Sequence, residues 1–566
     1  MLKVIFPLEN FLTIMKNMRL ARISFRRRAS KMAPFLLFIL SWNGAYASVP
    51  ATPFDKDKTV LGQPSSADAS NRIVVKGFLL TGNTLITTEK LQPVLAGYLN
   101  QSCDLNMLRE AAGRVTIEYQ RQGYSLAKAY ILQQNIVDGM VRVTVVEGKI
   151  GKIIVEGNKN YSSDFITRYL TSGKEQRGVT TDILQHGLLF LNSNFTDLKV
   201  SANFVPGKEP GTTDVHVKVD DSFPLHAILS TNNLGSRFVS RYRFGGQIEV
   251  TNVLTPGSLL TVGGFVGDQF KSMHIINAGD SLPLNSVGTT IGINANDGNF
   301  QVGKDFAELG IHNDQVSGDV FIKHPFIFDR KTTFFGKAGF RASNARYFNA
   351  FQETNNEPYN KDNIRALYVE AAGNMVAFGG RSLVSATLTQ GMGGLFDGTK
   401  SGDVLTSREN ASNEFTRVNL DFARLQPLSD TFSSLLRLSG QWSSSNLLAG
   451  EEWLIGGINS VHGYTAGEAS GDQGYSASLA LRANPLVNKE VLQLSVFMDY
   501  GRATKNNPRL GSKATTELTG VGAGVSSHFN SVSPTDIRVD IGWPLNPSTN
   551  FLKETPVLYF DASIRF

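Results

Sequence analysis

The chain ends in Val557-Leu558-Tyr559-Phe560-Asp561-Ala562-Ser563-Ile564-Arg565-Phe566. In an extended strand successive side chains point to opposite faces. Leu558, Phe560, Ala562, Ile564 and Phe566 therefore share one face, and Tyr559, Asp561, Ser563 and Arg565 share the other. A strand that crosses a bilayer needs about 9 to 11 residues, with every second side chain in hydrocarbon and the rest in a wet lumen. The stretch reads as the closing strand of an outer-membrane β-barrel, with Phe566 as its lipid-facing terminus.

The same alternation recurs upstream. In Arg417 to Phe422 the apolar set is Val418, Leu420 and Phe422, against Arg417, Asn419 and Asp421. Leu436, Leu438, Gly440 and Trp442 oppose Arg437, Ser439 and Gln441, and Leu492, Leu494, Val496 and Met498 oppose Gln493, Ser495, Phe497 and Asp499. Charges in the inward set are tolerable only where the lumen holds water. At about 20 to 22 residues per strand and connection, residues 221–566 make about sixteen strands, an even number as such barrels prefer.

Residues 1–47 carry Arg22, Arg26, Arg27, Arg28 and Lys31 ahead of the apolar run Ala33 to Leu40 and an Ala45-Tyr46-Ala47 cleavage pattern, which reads as an export signal. That segment holds eight Lys and Arg against one acid, Glu9, so the chain's formal charge of +6 becomes −1 without it. The basic balance therefore belongs to the precursor and gives no footprint for nucleic acid. With a single cysteine, Cys103, no intrachain disulfide can form and thiol metal clusters are excluded. Residues 48–71, with Pro50, Pro53 and Pro64, have the composition of a linker, and their prolines argue against a helix there that could plug a pore.

Between linker and barrel one pattern occurs twice. Residues 72–148 give the order β-α-α-β-β: strand Ile73 to Leu80, turn Gly82-Asn83, helices at Thr88 to Tyr98 and Asp104 to Gln122, and strands Leu126 to Gln133 and Met140 to Val146. Residues 149–220 repeat it, with Gly157-Asn158 echoing Gly82-Asn83. The predicted fold class is mixed: two β-α-α-β-β modules followed by a transmembrane antiparallel β-barrel of about sixteen strands.

Two motifs remain. Glu452 to Tyr464 contains Val461-His462-Gly463-Tyr464 and is followed by Gly471-Asp472-Gln473-Gly474, and a later strand carries Phe497-Met498-Asp499-Tyr500-Gly501. These resemble the long loop and the lumen-facing F-x-D-x-G strand of the two-partner secretion transporters, the haemolysin and filamentous-haemagglutinin secretion/activation proteins. Gly77-Phe78, Gly82-Asn83 and Val146-Glu147-Gly148 are similar to that family's polypeptide-transport-associated (POTRA) domain. The resemblance spans residues 72–566. It implies a latch in which loop residues Val461, His462, Gly463, Tyr464, Gly471, Asp472 and Gly474 meet the strand motif Phe497, Asp499 and Gly501. The family usually has Arg where this chain has His462. Histidine offers one hydrogen bond where arginine offers a parallel pair, and it is only partly charged near neutral pH. The latch is therefore expected to be weaker or pH-sensitive, or else to be a neutral hydrogen bond.

The resemblance further implies POTRA modules in the periplasm and a pore that takes an unfolded exoprotein, a large β-helical adhesin, haemolysin or similar, to the cell surface. Outer-membrane lipid, and the barrel-assembly machinery during biogenesis, would be the other partners. No G-x-x-x-x-G-K-[ST] loop is present, and the eight histidines are scattered without a Ser, His and acid set. The chain is thus read as a non-enzyme without cofactor, metal or nucleic-acid partner. The alternatives are an assembly factor of the same superfamily, whose members more often carry three or more POTRA modules, and a passive porin, against which any POTRA module argues.

Overall fold

The computed structural model describes residues 72–566 apart from 175–178, 210, 237, 269–271, 352–356, 487–490, 509–512, 530–532 and 547–555. The export signal and linker read in residues 1–71 lie outside the described residues.

In the first module strand Gly77–Thr81 runs parallel to Met140–Val146, which pairs on its other side with Lys128–Tyr130. Two helices cover this sheet, α1 (Thr88–Leu95) and α2 (Leu105–Arg121). Asp104 caps α2 by accepting from the Met107 N–H at 2.9 Å, and Leu108, Ala112, Val115 and Tyr119 form its buried face. The predicted strand Leu126 to Gln133 is shorter than read. Beyond Tyr130 the Gln134 side chain takes the place of a strand: its Oε1 accepts from Arg142 N–H at 2.7 Å and its Nε2 donates to Arg142 O at 2.8 Å. The predicted strand Ile73 to Leu80 is broken as well, since Ile73–Val74 pairs instead with Ser102–Cys103.

The second module repeats the plan with strands Lys149–Glu156, Leu198–Pro206 and Thr212–Asp221 and helices α3 (Ser163–Leu170) and α4 (Thr181–Asn194). One carboxylate holds the first turn of each module to the end of its sheet. Glu147 accepts from Leu85 N–H (2.6 Å) and Tyr119 Oη (2.8 Å), and Asp221 accepts from the N–H groups of Lys159, Asn160 and Tyr161. The second module rests on the barrel rim through Phe190 and Phe328, whose rings lie 5.2 Å apart, and through Thr251 Oγ1 donating to Asp197 Oδ2 at 2.7 Å.

Among the described residues sixteen antiparallel strands, from Leu225–Asn232 to Val557–Arg565, close into a barrel. The closing pair runs from Asp561 opposite Asn232 to Arg565 opposite Ile228. Outward and inward sets follow the alternation: Val496 and Met498 are 56% and 57% exposed, whereas Phe497 and Asp499 are 7% and 1% exposed. At the seam the backbone of Phe566 exchanges both hydrogen bonds with Ala227, at 2.8 and 3.2 Å, while its side chain stays exposed. Deleting Phe566 should remove this last pair and lower the yield of heat-modifiable barrel in the outer membrane. An unchanged yield would show that closure does not depend on the terminus.

Candidate functional site

Strand Leu225–Asn232 starts where the second module ends, so the module side of the barrel holds Leu225 and Phe566. Counting turns from there places residues 444–472 at the opposite, outer mouth. This connection folds back into the lumen as a short hairpin, Trp453–Ile455 paired with Ala469–Gly471. Ile455, Val461 and Tyr464 bury themselves against Ala503 and Leu518 of the barrel wall.

The hairpin's tip is held by its polar atoms. His462 donates its backbone N–H to Asp499 Oδ2 at 3.1 Å, and its ring Nδ1 lies 2.6 Å from the same oxygen. The other ring nitrogen, Nε2, sits 3.5 Å from Asp540 Oδ2, an ion-pair distance without hydrogen-bond alignment. Arg538 stands 2.6 Å from that carboxylate. The imidazole also packs on Phe497, ring centroids 4.0 Å apart, and meets Tyr559 edge-on. Tyr559 Oη accepts from Gly463 N–H (2.8 Å) and donates to Tyr464 O (2.7 Å). Gly463 has φ +91°, and a Cβ there would meet the backbone of Trp543 and Pro544. Opposite it, a Cβ on Gly542 would meet His462 Cβ at 2.8 Å, so the loop lies directly on bare backbone.

His462 belongs to the loop and not to a membrane-spanning strand. Burial alone would push its pKa down, but the hydrogen bond to Asp499 and the charges of Asp499 and Asp540 outweigh that and raise it above the ordinary value. Two carboxylates face the ring and favour its charged form more than solvent would.

The predicted site residues form two groups. Val461, His462, Gly463 and Tyr464 come together with Phe497, Asp499 and Gly501, where a Cβ on Gly501 would touch Val461 Cγ2 at 2.7 Å. Asp472 is placed elsewhere, fully buried, accepting from Arg408 Nη1 (2.6 Å) and Nη2 (3.2 Å), Leu447 N–H (2.7 Å) and Asn506 N–H (2.8 Å). Gly471 and Gly474 flank it, close to the Thr504 backbone and the Trp453 ring respectively. Glu451, also buried, binds Arg341 and Arg417, each at 2.5 Å. Asp540, Arg408 and Glu451 were not picked out from sequence. Asp540 had a signal, the polar phase of Asp536, Arg538 and Asp540 in an alternating strand; Arg408 lies in an aperiodic loop and had none.

A closed barrel with a loop folded into its lumen, preceded by modules of POTRA form, defines an outer-membrane β-barrel transporter whose POTRA domains are periplasmic. Comparison with known proteins agrees with that class. Residues 337–527 match the haemolysin secretion/activation protein family ShlB/FhaC/HecB, and residues 73–148 match the ShlB-type POTRA domain. The chain is 24% identical over 475 residues to the heme/hemopexin transporter protein HuxB of Haemophilus influenzae, covering 83% of this chain and 82% of the relative. It is 22% identical over 503 residues to the outer membrane transporter CdiB of Dickeya dadantii, covering 86% and 85%. The solved structure of CdiB from Escherichia coli shares the fold with a TM-score of 0.71 at 18% identity, over 90% of this chain and 93% of that one. The chain thus carries a domain of the haemolysin secretion/activation family behind a POTRA domain of the same type, and its relatives over most of their length are transporters of the outer membrane.

Proposed function

We propose that this protein recognises an unfolded exoprotein in the periplasm through its two POTRA modules, residues 72–148 and 149–220, and passes it through the barrel, residues 221–566, without nucleotide hydrolysis. Residues 1–47 act as export signal and 48–71 as linker. The observation that carries the reading is the lumen itself, crossed by a loop that is held by a few buried ionic contacts and not by a continuous sheet. Such a plug can be withdrawn while the sixteen-strand wall stays closed.

An extended client can add to an exposed sheet edge by main-chain hydrogen bonds, with little dependence on its sequence. Part of that edge is already taken. Asn192 bonds both backbone groups of Val200 at 2.8 Å, as Gln134 does those of Arg142, which leaves the strand end from Ala202 to Phe204 for a client. A large β-helical partner that folds after emerging would bias the motion outward. His462 and Asp499, with Val461, Gly463, Tyr464, Phe497 and Gly501 around them, act as the latch, and Asp472 with Gly471 and Gly474 as a second anchor of the same loop.

A protein beginning near Asp221 should still conduct ions in planar bilayers yet fail to secrete. Normal secretion by that truncated barrel would remove the modules as receptors and return the porin reading.

A further inference from the structure

The carboxylate that receives His462 is only half used. Both contacts from the loop fall on Asp499 Oδ2, while Asp499 Oδ1 is buried without a hydrogen-bond partner. Leaving a buried carboxylate oxygen bare is costly, and withdrawing His462 would strip the other oxygen as well.

A cation stands on the same hydrogen-bonded row. Arg437 is directly opposite Ser478, and Ser478 is directly opposite Asp499. All three are in the inward phase of their strands. Adjacent strands lie about 4.8 Å apart, so the Cα atoms of Arg437 and Asp499 are separated by about 10 Å. Extended arginine and aspartate side chains together bridge such a gap, and the serine between them leaves the way open. In the present state Arg437 has no carboxylate within ion-pair distance among the described residues, although it lies in the fields of Asp499, Asp540 and Arg538. Asp540 differs, for Arg538 already holds it.

We propose that Arg437 is the second partner of Asp499. When the loop withdraws His462, the Arg437 guanidinium swings over Ser478 and pairs with the released carboxylate. The inference rests on the latch reading above and extends it, because it gives the withdrawn state an ion pair of its own. Two states that each satisfy Asp499 differ less in free energy than a latched state and a bare carboxylate, so a client can shift the balance with modest binding energy. His462 is then a partner exchanged and not merely lost.

The test uses single-channel recording of the full-length protein in planar bilayers, alongside protease protection of residues 456–468 in the closed state. Arg437→Gln keeps a polar side chain but removes the charge and shortens the reach; Ser478→Val keeps the charge and blocks the path. Each should shorten open dwell times about tenfold, the weight of one hydrogen bond to a charged group, with protection of the closed loop unchanged. Open dwell times unchanged in both variants would overturn the exchange. So would loss of closed-state protection in Arg437→Gln, because Arg437 would then belong to the closed lock. If Arg437→Gln fails to assemble, Ser478→Val decides alone. The latch itself is tested apart from this by His462→Ala, which should expose the closed loop to protease; a protected loop in that variant would sink the latch whatever Arg437 does.

Discussion

Asp472→Ala is expected to destabilise the barrel by about 3 to 5 kcal/mol, the usual cost of removing one partner from a buried ion pair. The carboxylate is fully buried and closes two structures at once. It binds Arg408 of the neighbouring outer loop through both guanidinium ends and accepts the backbone N–H groups of Leu447 and Asn506. With alanine there, both N–H groups lose this acceptor and Arg408 retains Glu452 at 3.1 Å. Asp472→Asn keeps an acceptor but not the charge, so its loss should fall between. The measurement is the midpoint of heat-induced mobility change in detergent, with protease cleavage in residues 444–472 as a local probe. A variant that melts with the wild type and resists protease equally would mean that this ion pair does not anchor the loop.

The effect should be larger than for most sites on the barrel because the long loop contributes little regular structure of its own. Trp453–Ile455 and Ala469–Gly471 form one short ladder, and the rest of the connection is fixed by side chains. Glu451 between Arg341 and Arg417, Asp472 on Arg408, and His462 on Asp499 make four ionic contacts at three points along it. At each point the carboxylate is buried, so removing one partner strands a desolvated charge and costs more than breaking a surface pair.

What the sequence disclosed followed from periodicity. A strand has period two and one wet face, so the inward phase of Asp499 and the outward phase of Val496 and Met498 could be read directly, and the repeat of Gly82-Asn83 at Gly157-Asn158 marked two modules. His462 and Asp499 were paired through motif resemblance, which supplies a contact that periodicity cannot. The contacts that escaped are those without either aid. Arg408 and Asp472 are 64 residues apart and Arg341 and Glu451 are 110 apart, one member of each pair lying in a loop without a pattern. Asp540 was within reach of the alternation argument, but nothing in the sequence distinguishes it from Asp536, an inward residue of the same strand. The breaks at Val75 and after Tyr130 arise because a distant strand in one case and the Gln134 amide in the other compete for the same backbone groups.

The strongest pH dependence should come from His462. Its folded pKa is raised, because the hydrogen bond to Asp499 and the charges of Asp499 and Asp540 outweigh its burial. A group whose folded pKa lies above its unfolded value of about 6.5 binds more protons in the folded state, so its contribution to stability is fully present below that value. The contribution is lost as pH climbs through the raised folded pKa. The latch is therefore tight in mildly acidic medium and loosens on the alkaline side, where the ring becomes neutral and keeps only one hydrogen bond to Asp499. His462→Arg carries a charge that does not titrate in this range, so its loop should stay protected, and its secretion preserved, from about pH 5.5 to about pH 9. Asp499→Ala should impair secretion and abolish most of the difference between histidine and arginine at position 462, because the shared acceptor is gone. Loop protection and channel closure, measured across that range in the two single variants and the double variant, give the coupling between the positions. Equal pH profiles for histidine and arginine, or additive effects of the two substitutions, would show that closure does not run through this pair and that the loop is held by its apolar seat on Ala503 and Leu518.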